Sequence, residues 1–263
     1  MAKALAKPNL TAGSLYSQSA RLIFQRHRSL IIQPILIILL SAGLAITLSQ
    51  AHLDVIEKVT INKKFIFRAI QDHLILSFAS AAVILAVAVP AGILLTRRRY
   101  KKFTPIVLIL ANIGQAFPAV GVLIIAGILF GFGKPIAIFS FAAFGILPIL
   151  RNTIVGLQEI DPFIIESAMG MGMTPKQALR QIELPLAVPV ILAGVRTTLI
   201  LTVGVATLGV FVNGGGLGTL IIPGLKLNRE LVLVTGGMLT VIVAFTMDWL
   251  ARAAEELLRP RGI

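Results

Sequence analysis

Long apolar stretches separated by short polar segments dominate this sequence. Most of the stretches exceed the roughly 20 residues that a helix needs to cross the hydrocarbon core of a bilayer. The fourth, residues 135–150, is shorter, and we expect its helix to continue into the polar segment that follows it. The pattern predicts about six transmembrane helices, over residues 29–49, 73–95, 103–130, 135–150, 186–210 and 231–250.

The composition agrees with a membrane protein and limits what else the chain can be. The sequence has 263 residues, of which 57% are hydrophobic and 13% are charged. A soluble domain carries about twice that share of charge. The mean hydropathy is +0.93. We therefore predict an all-α membrane protein with one membrane domain. Cysteine is absent, which excludes disulfides, cysteine-ligated zinc and thiol catalysis.

The positive charges predict how the helices are oriented. The net charge is +13, but the Lys and Arg residues flank apolar stretches, so orientation in a bilayer explains them better than nucleic-acid binding does. With the N-terminus inside, the inner segments carry 16 Lys and Arg residues and the outer segments carry 7. Both termini and residues 151–185 are therefore predicted to be cytoplasmic, and the basic loop 97–102 is the sharpest signal.

The same pattern divides the chain into four parts. Residues 1–28 form a basic cytoplasmic tail rather than a removable signal, because the first apolar stretch begins too far from the start. Residues 29–72 hold the first transmembrane helix and an outer segment, which has room for a short interfacial helix. Residues 73–250 form the core domain, and residues 251–263 form a cytoplasmic C-terminus.

One polar segment, at residues 161–185, interrupts the apolar pattern, and its sequence predicts two short helices. Asp161 can cap the first helix, and Gly172 closes it, because a C-terminal cap often needs the left-handed backbone that glycine adopts readily. Thr174 caps the second helix, and Gln177 completes a capping box. Pro185 is expected to end that helix, since the residue before a proline is pushed out of helical geometry.

This segment resembles the EAA signature of the inner-membrane permease subunits of ABC importers. The signature reads E-A-A, three residues, G, nine residues, I, one residue, L-P. Every spacing matches, and a serine in place of the first alanine is the one departure. In that family the segment is a cytoplasmic loop that docks into a groove of the ATP-hydrolysing subunit. The matching residues are Glu166, Ser167, Ala168, Gly172, Ile182, Leu184 and Pro185.

The resemblance implies a type I ABC importer permease fold in the cytoplasmic membrane of a bacterium or archaeon. It also implies partners: an ATPase subunit in two copies, a second permease subunit that is identical or a sister chain, a separate extracytoplasmic solute-binding protein, and membrane lipid. An ordinary amphipathic linker between two spans is the alternative interpretation of the segment.

A glycine-rich tract begins at residue 213, in the third outer segment. A phosphate-binding loop is a poor interpretation, because no Gly-Lys-Ser/Thr follows and the G-x-G-x-x-G spacing fails. Non-helical backbone that dips towards the membrane fits better, and such backbone is tolerated only where protein or a water-filled cavity covers it. An ordered outer gate and a plain flexible loop both stay open. The candidate gate residues are Gly214, Gly215, Gly216 and Gly218.

The sequence contains no catalytic or metal-ligating constellation. His27, His52 and His73 are scattered, and neither an HExxH nor a Walker A motif occurs. We therefore expect a transport subunit without enzymatic activity, cofactor or metal. The ionisable residues within the spans are Arg196 and Asp248. An interfacial position explains Asp248, whereas Arg196 could snorkel, pair across helices or line the transport path. An ion-coupled secondary transporter is less favoured, because it usually needs carboxylates in mid-membrane.

Over residues 166–197, and again in the glycine-rich tract, the chain is similar to permeases for glycine betaine, choline and related osmoprotectants. A permease for another small solute, such as an amino acid, is the alternative. Rings of Trp and Tyr hold quaternary ammonium groups best, and the one Trp and two Tyr lie outside the middle of the spans. Phe117 is the candidate aromatic residue of the path, and we expect a low-affinity passage.

Overall fold

The computed structural model describes residues 12–258 of the chain and the side chains of residues 30–257. This part of the chain is helical and has no strands, as predicted. The predicted tail before residue 12 and the predicted C-terminus after residue 258 lie outside the described residues. The helices are α1 (Ala12–Gln50), α2 (Val55–Thr60), α3 (Lys63–Thr96), α4 (Thr104–Ala116), α5 (Ala119–Phe130), α6 (Lys134–Gln158), α7 (Pro162–Gly170), α8 (Pro175–Ala178), α9 (Leu184–Ala206), α10 (Gly218–Lys226) and α11 (Glu230–Leu258).

Five helical segments in the described part of the chain are long and apolar enough to cross a membrane. They correspond to the first, second, fourth, fifth and sixth predicted spans. The short fourth stretch continues into the following polar segment, as expected, and its helix α6 ends only at Gln158. The five segments are Leu30–Gln50, Lys63–Thr96, Lys134–Gln158, Pro175–Val212 and Glu230–Leu257.

The third predicted span, residues 103–130, is not a single helix. It consists of α4 and α5, which meet at an angle of 93°, and only the two together are long enough to cross a membrane. The break falls at Phe117, whose backbone is extended with ψ 143°, and at Pro118. Proline lacks a donor and disfavours helical geometry in the residue before it, so the helix stops there.

The outer segment also differs from its predicted bounds. It holds the short helix α2, as expected, and the side chain of Asp54 accepts the Glu57 amide at its start. This hydrogen bond and the guanidinium of Arg229 lower the pKa of Asp54. The following helix begins at Lys63 rather than at His73, because Asn62 caps it. His73 therefore lies inside α3, where it is fully buried, and not at the edge of a span.

Helices α3, α6 and α9 form the centre of the bundle. They approach closely at small residues: a Cβ on Gly92 of α3 would stand 2.7 Å from the Thr153 side chain of α6, and a Cβ on Gly194 of α9 would stand 2.9 Å from Asn152. Membrane helices associate largely through such close van der Waals packing. The three helices consequently fix the positions of the loops at both ends of the bundle.

Candidate functional site

The first helix of the 161–185 segment has the ends that its sequence predicts. Asp161 accepts the Phe163 amide at 2.9 Å through Oδ1, which caps the start of α7. At the other end Gly172 has φ +89°, and its amide donates to the Met169 carbonyl at 3.0 Å. The amide of the next residue reaches the Ala168 carbonyl at 3.2 Å. These two bonds form a Schellman turn, which requires the left-handed residue that glycine supplies.

The second helix of the segment does not end where we predicted. Thr174 and Gln177 form the expected capping box at the start of α8, with the Thr174 amide donating to the Gln177 side chain at 2.8 Å. Pro185, however, does not terminate the helix. A π-helical turn over Leu179–Glu183 changes the hydrogen-bond register, and the helix runs on as α9. Pro185 stands in the first turn after that change, where its missing N–H is tolerated.

The surface of the segment combines polar and apolar side chains. Glu166 and Ser167 are exposed, whereas Ala168 is turned inward and is 2% exposed. On the same surface Phe163 is 72% exposed and Met171 is 74% exposed. Both lie in the turn-rich part of the chain between two spans rather than in a span. Large exposed apolar side chains in such a setting are typical of a protein–protein contact.

One contact that the sequence does not indicate joins the end of this segment to the end of α3. Glu183, the unspecified residue between Ile182 and Leu184, is buried, and both of its carboxylate oxygens accept from the guanidinium of Arg97, at 3.0 and 2.5 Å. The two residues lie 86 positions apart. The one signal in the sequence was an acidic residue at the very start of an apolar run, and it does not identify a partner.

The glycine-rich tract is only partly non-helical. Residues 213–217 form a loop, which we call the glycine loop, and Gly218 already belongs to α10, contrary to the prediction. Gly215 and Gly216 have φ values of +84° and +87°. A Cβ on Gly214 would stand 2.9 Å from the carbonyl oxygen of Gly209. These backbone angles and this close approach require glycine at positions 214–216.

Two residues of α3 hold the glycine loop in place. The imidazole Nδ1 of the buried His73 accepts the Leu217 amide at 3.3 Å. The neighbouring Asp72 forms an ion pair with Lys134 at 2.5 Å. Its carboxylate oxygen Oδ2 is the nearest atom that a Cβ added to Gly215 would meet, at 2.7 Å. The sequence placed His73 at a span edge and gave Asp72 no role. The loop thus lies against α3 at Asp72 and His73, about three turns after the helix begins, and against the first turn of α6 at Ala137.

Arg196 forms an ion pair between two helices, which is one of the three roles that the sequence left open for it. Its guanidinium contacts Asp248 of α11 at 2.5 Å. The same carboxylate accepts from Gln33 of α1 at 2.5 Å and from Arg252 at 3.0 Å. This network ties α1, α9 and α11 together. Phe117, the other candidate for the path, is 56% exposed at the bend between α4 and α5.

Chemistry on a bound metal has no support among the described side chains. No group of three or more His, Asp or Glu residues between positions 30 and 257 is placed to hold a metal ion. The exposed 161–185 segment lies at one end of the central helices α3, α6 and α9, and the glycine loop lies at the other end.

Comparison with known families identifies the class of protein. A family described as "Binding-protein-dependent transport system inner membrane component" matches residues 88–260, a stretch that contains both the 161–185 segment and the glycine loop. The chain belongs to this family. It is a multi-pass protein of the inner membrane and the permease subunit of an ABC importer, which works with a binding protein and with a separate ATPase subunit that hydrolyses ATP.

Individual relatives narrow the class further. The chain is 39% identical over 192 residues to the choline transport system permease protein OpuBB of Bacillus subtilis (strain 168). The aligned region covers 73% of this chain and 88% of the relative. It is 38% identical over 192 residues to the glycine betaine/carnitine/choline transport system permease protein OpuCB of the same organism, with the same coverage of both chains.

A solved structure agrees with the fold. A chain of the MetNI methionine ABC transporter, in an inward-facing conformation, superimposes with a TM-score of 0.64 at 24% identity and covers 76% of this chain and 100% of that chain. The likeness supports the type I ABC importer permease fold that the 161–185 segment implied.

Proposed function

We propose that this permease passes osmoprotectants such as glycine betaine, choline or related quaternary amines across the inner membrane. The proposal rests on the relatives, whose names cover choline, glycine betaine and carnitine at 38–39% identity over most of both chains. The driving force comes from ATP hydrolysis in the partner subunit. Among the carboxylates within the described spans, Asp248 is engaged by two arginines, Glu183 by Arg97 and Asp72 by Lys134.

The 161–185 segment docks to the ATPase. The observation that carries this role is the exposed surface of α7 and of the turn that closes it, where Phe163 and Met171 stand outside the spans while Ala168 packs inward. Burying either large side chain in a groove of the partner contributes about 1.5–3 kcal/mol. Glu166 lies exposed on the same helix and supplies a charge for the contact. Two ATPase subunits and two permease subunits, identical or sister chains, complete the importer.

The 161–185 segment and both termini face the cytoplasm. The distribution of Lys and Arg supports this orientation, with 16 in the inner segments and 7 in the outer ones. A single cysteine at the exposed position Gln177 tests it directly, because the chain has no cysteine of its own. We expect a membrane-impermeant thiol reagent to label Gln177→Cys in broken cells and to leave it unlabelled in intact cells. Labelling in intact cells would reverse the orientation.

The glycine loop acts as part of the outer gate. It is supported in this role by its position at the opposite end of the central helices from the 161–185 segment and by its contacts with His73 and Asp72 of α3. A tight loop with three consecutive glycines can pack closely across a path and still move as a unit. Gly214, Gly215 and Gly216 form the loop proper, and Gly218 starts the helix behind it.

The permease path itself binds the solute weakly, and the binding protein supplies selectivity. The indole N–H of Trp249 donates to the Leu30 carbonyl at 3.0 Å, and Tyr100 lies in the basic loop with the Arg99 guanidinium 5.6 Å from its ring centre. Tyr100 lies in a loop and Trp249 towards the end of α11, so neither ring is placed to form a cation–π cage in the middle of the path. Phe117 is the exposed aromatic residue nearest to a break in a span, and phenylalanine is the weaker host.

The experiment that tests this function is solute-dependent ATP hydrolysis. The purified permease–ATPase complex is reconstituted with its binding protein, and hydrolysis is measured with glycine betaine, choline, or methionine. We expect stimulation by the quaternary amines alone. In equilibrium binding without the binding protein, the complex should hold choline with a Kd of about 1 mM or weaker, corresponding to about −4 kcal/mol. Stimulation by the amino acid alone would show that the substrate class is wrong.

A further inference from the structure

A bidentate ion pair joins the 161–185 segment to a helix outside it. Glu183 has a side chain that is only 5% exposed, and the two terminal nitrogens of Arg97 donate to its two carboxylate oxygens at 3.0 and 2.5 Å. Such a two-point contact fixes direction as well as distance, which a lysine at the same position does not reproduce. The pair therefore defines how the start of α9 lies against the end of α3.

Arg97 is itself anchored to α3. It follows the last helical residue, and its amide donates to the Leu94 carbonyl at 3.1 Å while its Nε donates to the Ile93 carbonyl at 3.3 Å. Its own carbonyl accepts the amides of Tyr100 and Lys101, both at 2.9 Å. The backbone of Arg97 is consequently held by the helix on one side and by the basic loop on the other, and its guanidinium is tied to the Ile93 carbonyl. These contacts restrict how far the guanidinium can follow Glu183 if Glu183 moves.

Glu183 occupies a place where the backbone can deform. It is the last residue of the π-helical turn Leu179–Glu183, at which the hydrogen-bond register changes between α8 and α9. Such turns are local irregularities that often accompany function. In front of the ion pair lies an open cleft of about 600 Å³, which also separates α7 from the end of α3 and is lined by Lys101, Pro162, Ile165 and Glu166.

We propose that the Arg97–Glu183 pair is a positioning contact for coupling, which makes α3 and the start of α9 move together when the ATPase moves the 161–185 segment. This proposal rests on the coupling role proposed above for that segment. Without the pair, the π-helical turn and the cleft would absorb part of the movement. Stability alone is a poor explanation for the pair, because buried ion pairs often contribute little net stability compared with apolar replacements.

The test compares distances in two nucleotide states. Spin labels are attached to cysteines at two exposed positions, Leu94→Cys on α3 and Gln181→Cys beside the pair, in the purified permease–ATPase complex. The distance is measured without nucleotide and with ATP plus orthovanadate. In the otherwise unaltered complex we expect the same distance in both states. With Glu183→Gln or Arg97→Lys we expect the distance to change on adding nucleotide.

Two further variants separate positioning from mere structural support. The exchange Arg97→Glu with Glu183→Arg restores the pair and should restore the constant distance. Arg98→Lys, at the exposed neighbouring arginine, should behave as the unaltered complex. In reconstituted vesicles, solute transported per ATP should fall by about fivefold or more in the single variants and recover in the exchange. A complex that assembles and gives a constant distance in every variant would overturn the proposal, as would a changing distance in the unaltered complex.

The distances need only the ATPase and nucleotide, so they are independent of the transported solute. If the unaltered complex transports neither choline nor glycine betaine, the proposed substrate is wrong, and the label distances still decide the role of the pair. If the exchange variant fails to recover either the constant distance or the transport ratio, the pair serves the fold alone and the positioning role is wrong.

Discussion

Replacing Gly172 with alanine tests whether the end of α7 sets the geometry of the docking segment. Gly172 has φ +89° and stands at the centre of the Schellman turn that closes the helix. A Cβ added there would meet no atom within 4 Å. A steric collision therefore contributes nothing to the loss of stability of the turn. The whole free-energy cost comes from a left-handed backbone in a residue that carries a side chain.

That cost is about 1–2 kcal/mol for an ordinary L-residue. It lowers the equilibrium population of the closed turn by a factor of about 5–30. Because α7 is peripheral to α3, α6 and α9, the free energy of unfolding of the bundle should change little. Asparagine tolerates the left-handed region better than alanine does, so Gly172→Asn should destabilise the turn less than Gly172→Ala does.

Hydrogen exchange of the segment measures the effect. In Gly172→Ala, the amides of residues 172 and 173, which donate to the Met169 and Ala168 carbonyls, should exchange about 5–30 times faster. The affinity for the ATPase should fall by up to the same factor. The matched control is Gly170→Ala, at the last residue of α7, where a Cβ also meets no atom within 4 Å and φ is not positive.

The control should behave in the opposite way, since alanine is favoured over glycine in a helix by about 1 kcal/mol. Exchange in Gly170→Ala should therefore slow or stay constant, and docking should be retained. Equal acceleration in both alanine variants would refute the reasoning, because it would show that any added side chain disturbs the segment. Unchanged exchange in both would show that the left-handed turn is not maintained in the membrane-bound protein.

Three further predictions concern other parts of the molecule. Asp248→Ala leaves the guanidinium of Arg196 without its carboxylate and should cost about 3 kcal/mol, a decrease of about 6–12 °C in Tm for a chain of this size; an unaltered Tm would contradict the network. Gly215→Ala places a Cβ 2.7 Å from a carboxylate oxygen of α3 at φ +84° and should slow uptake while basal ATP hydrolysis is retained; normal uptake would exclude the gate. Phe163→Ser should weaken ATPase binding by about tenfold or more in a pull-down titration, whereas Val55→Ser on the distant helix α2 should leave the affinity unchanged. Equal affinities of the two variants would argue against docking through α7.

Features fixed by local interactions were predictable from the sequence. Asp161, Gly172 and Thr174 act within three or four residues of themselves, and the structure confirms each of their predicted helix ends. The apolar spans were predictable for the same reason, since hydrophobic length needs no knowledge of the partner helices. The signature motif identified the family from its spacing alone, and the family match confirms it.

Features that depend on distant partners were not predictable. Arg97 and Glu183 are 86 residues apart, and His73 meets Leu217 at a separation of 144. Nothing near either residue in the chain indicates these contacts. Pro185 was predicted to end a helix because prolines usually do, but the preceding π-helical turn changes the hydrogen-bond register. No local pattern in the sequence indicates this turn.

ATP-dependent accumulation of choline or glycine betaine in vesicles tests the central claim most directly. The permease, its ATPase and its binding protein are reconstituted with ATP on the side of the 161–185 segment and labelled solute with binding protein on the other. We predict accumulation above the external concentration that requires all three components. It should decline in the Gly172→Ala complex and persist with Gly170→Ala. Accumulation driven by an ion gradient without ATP, or no accumulation of any quaternary amine, would contradict the account.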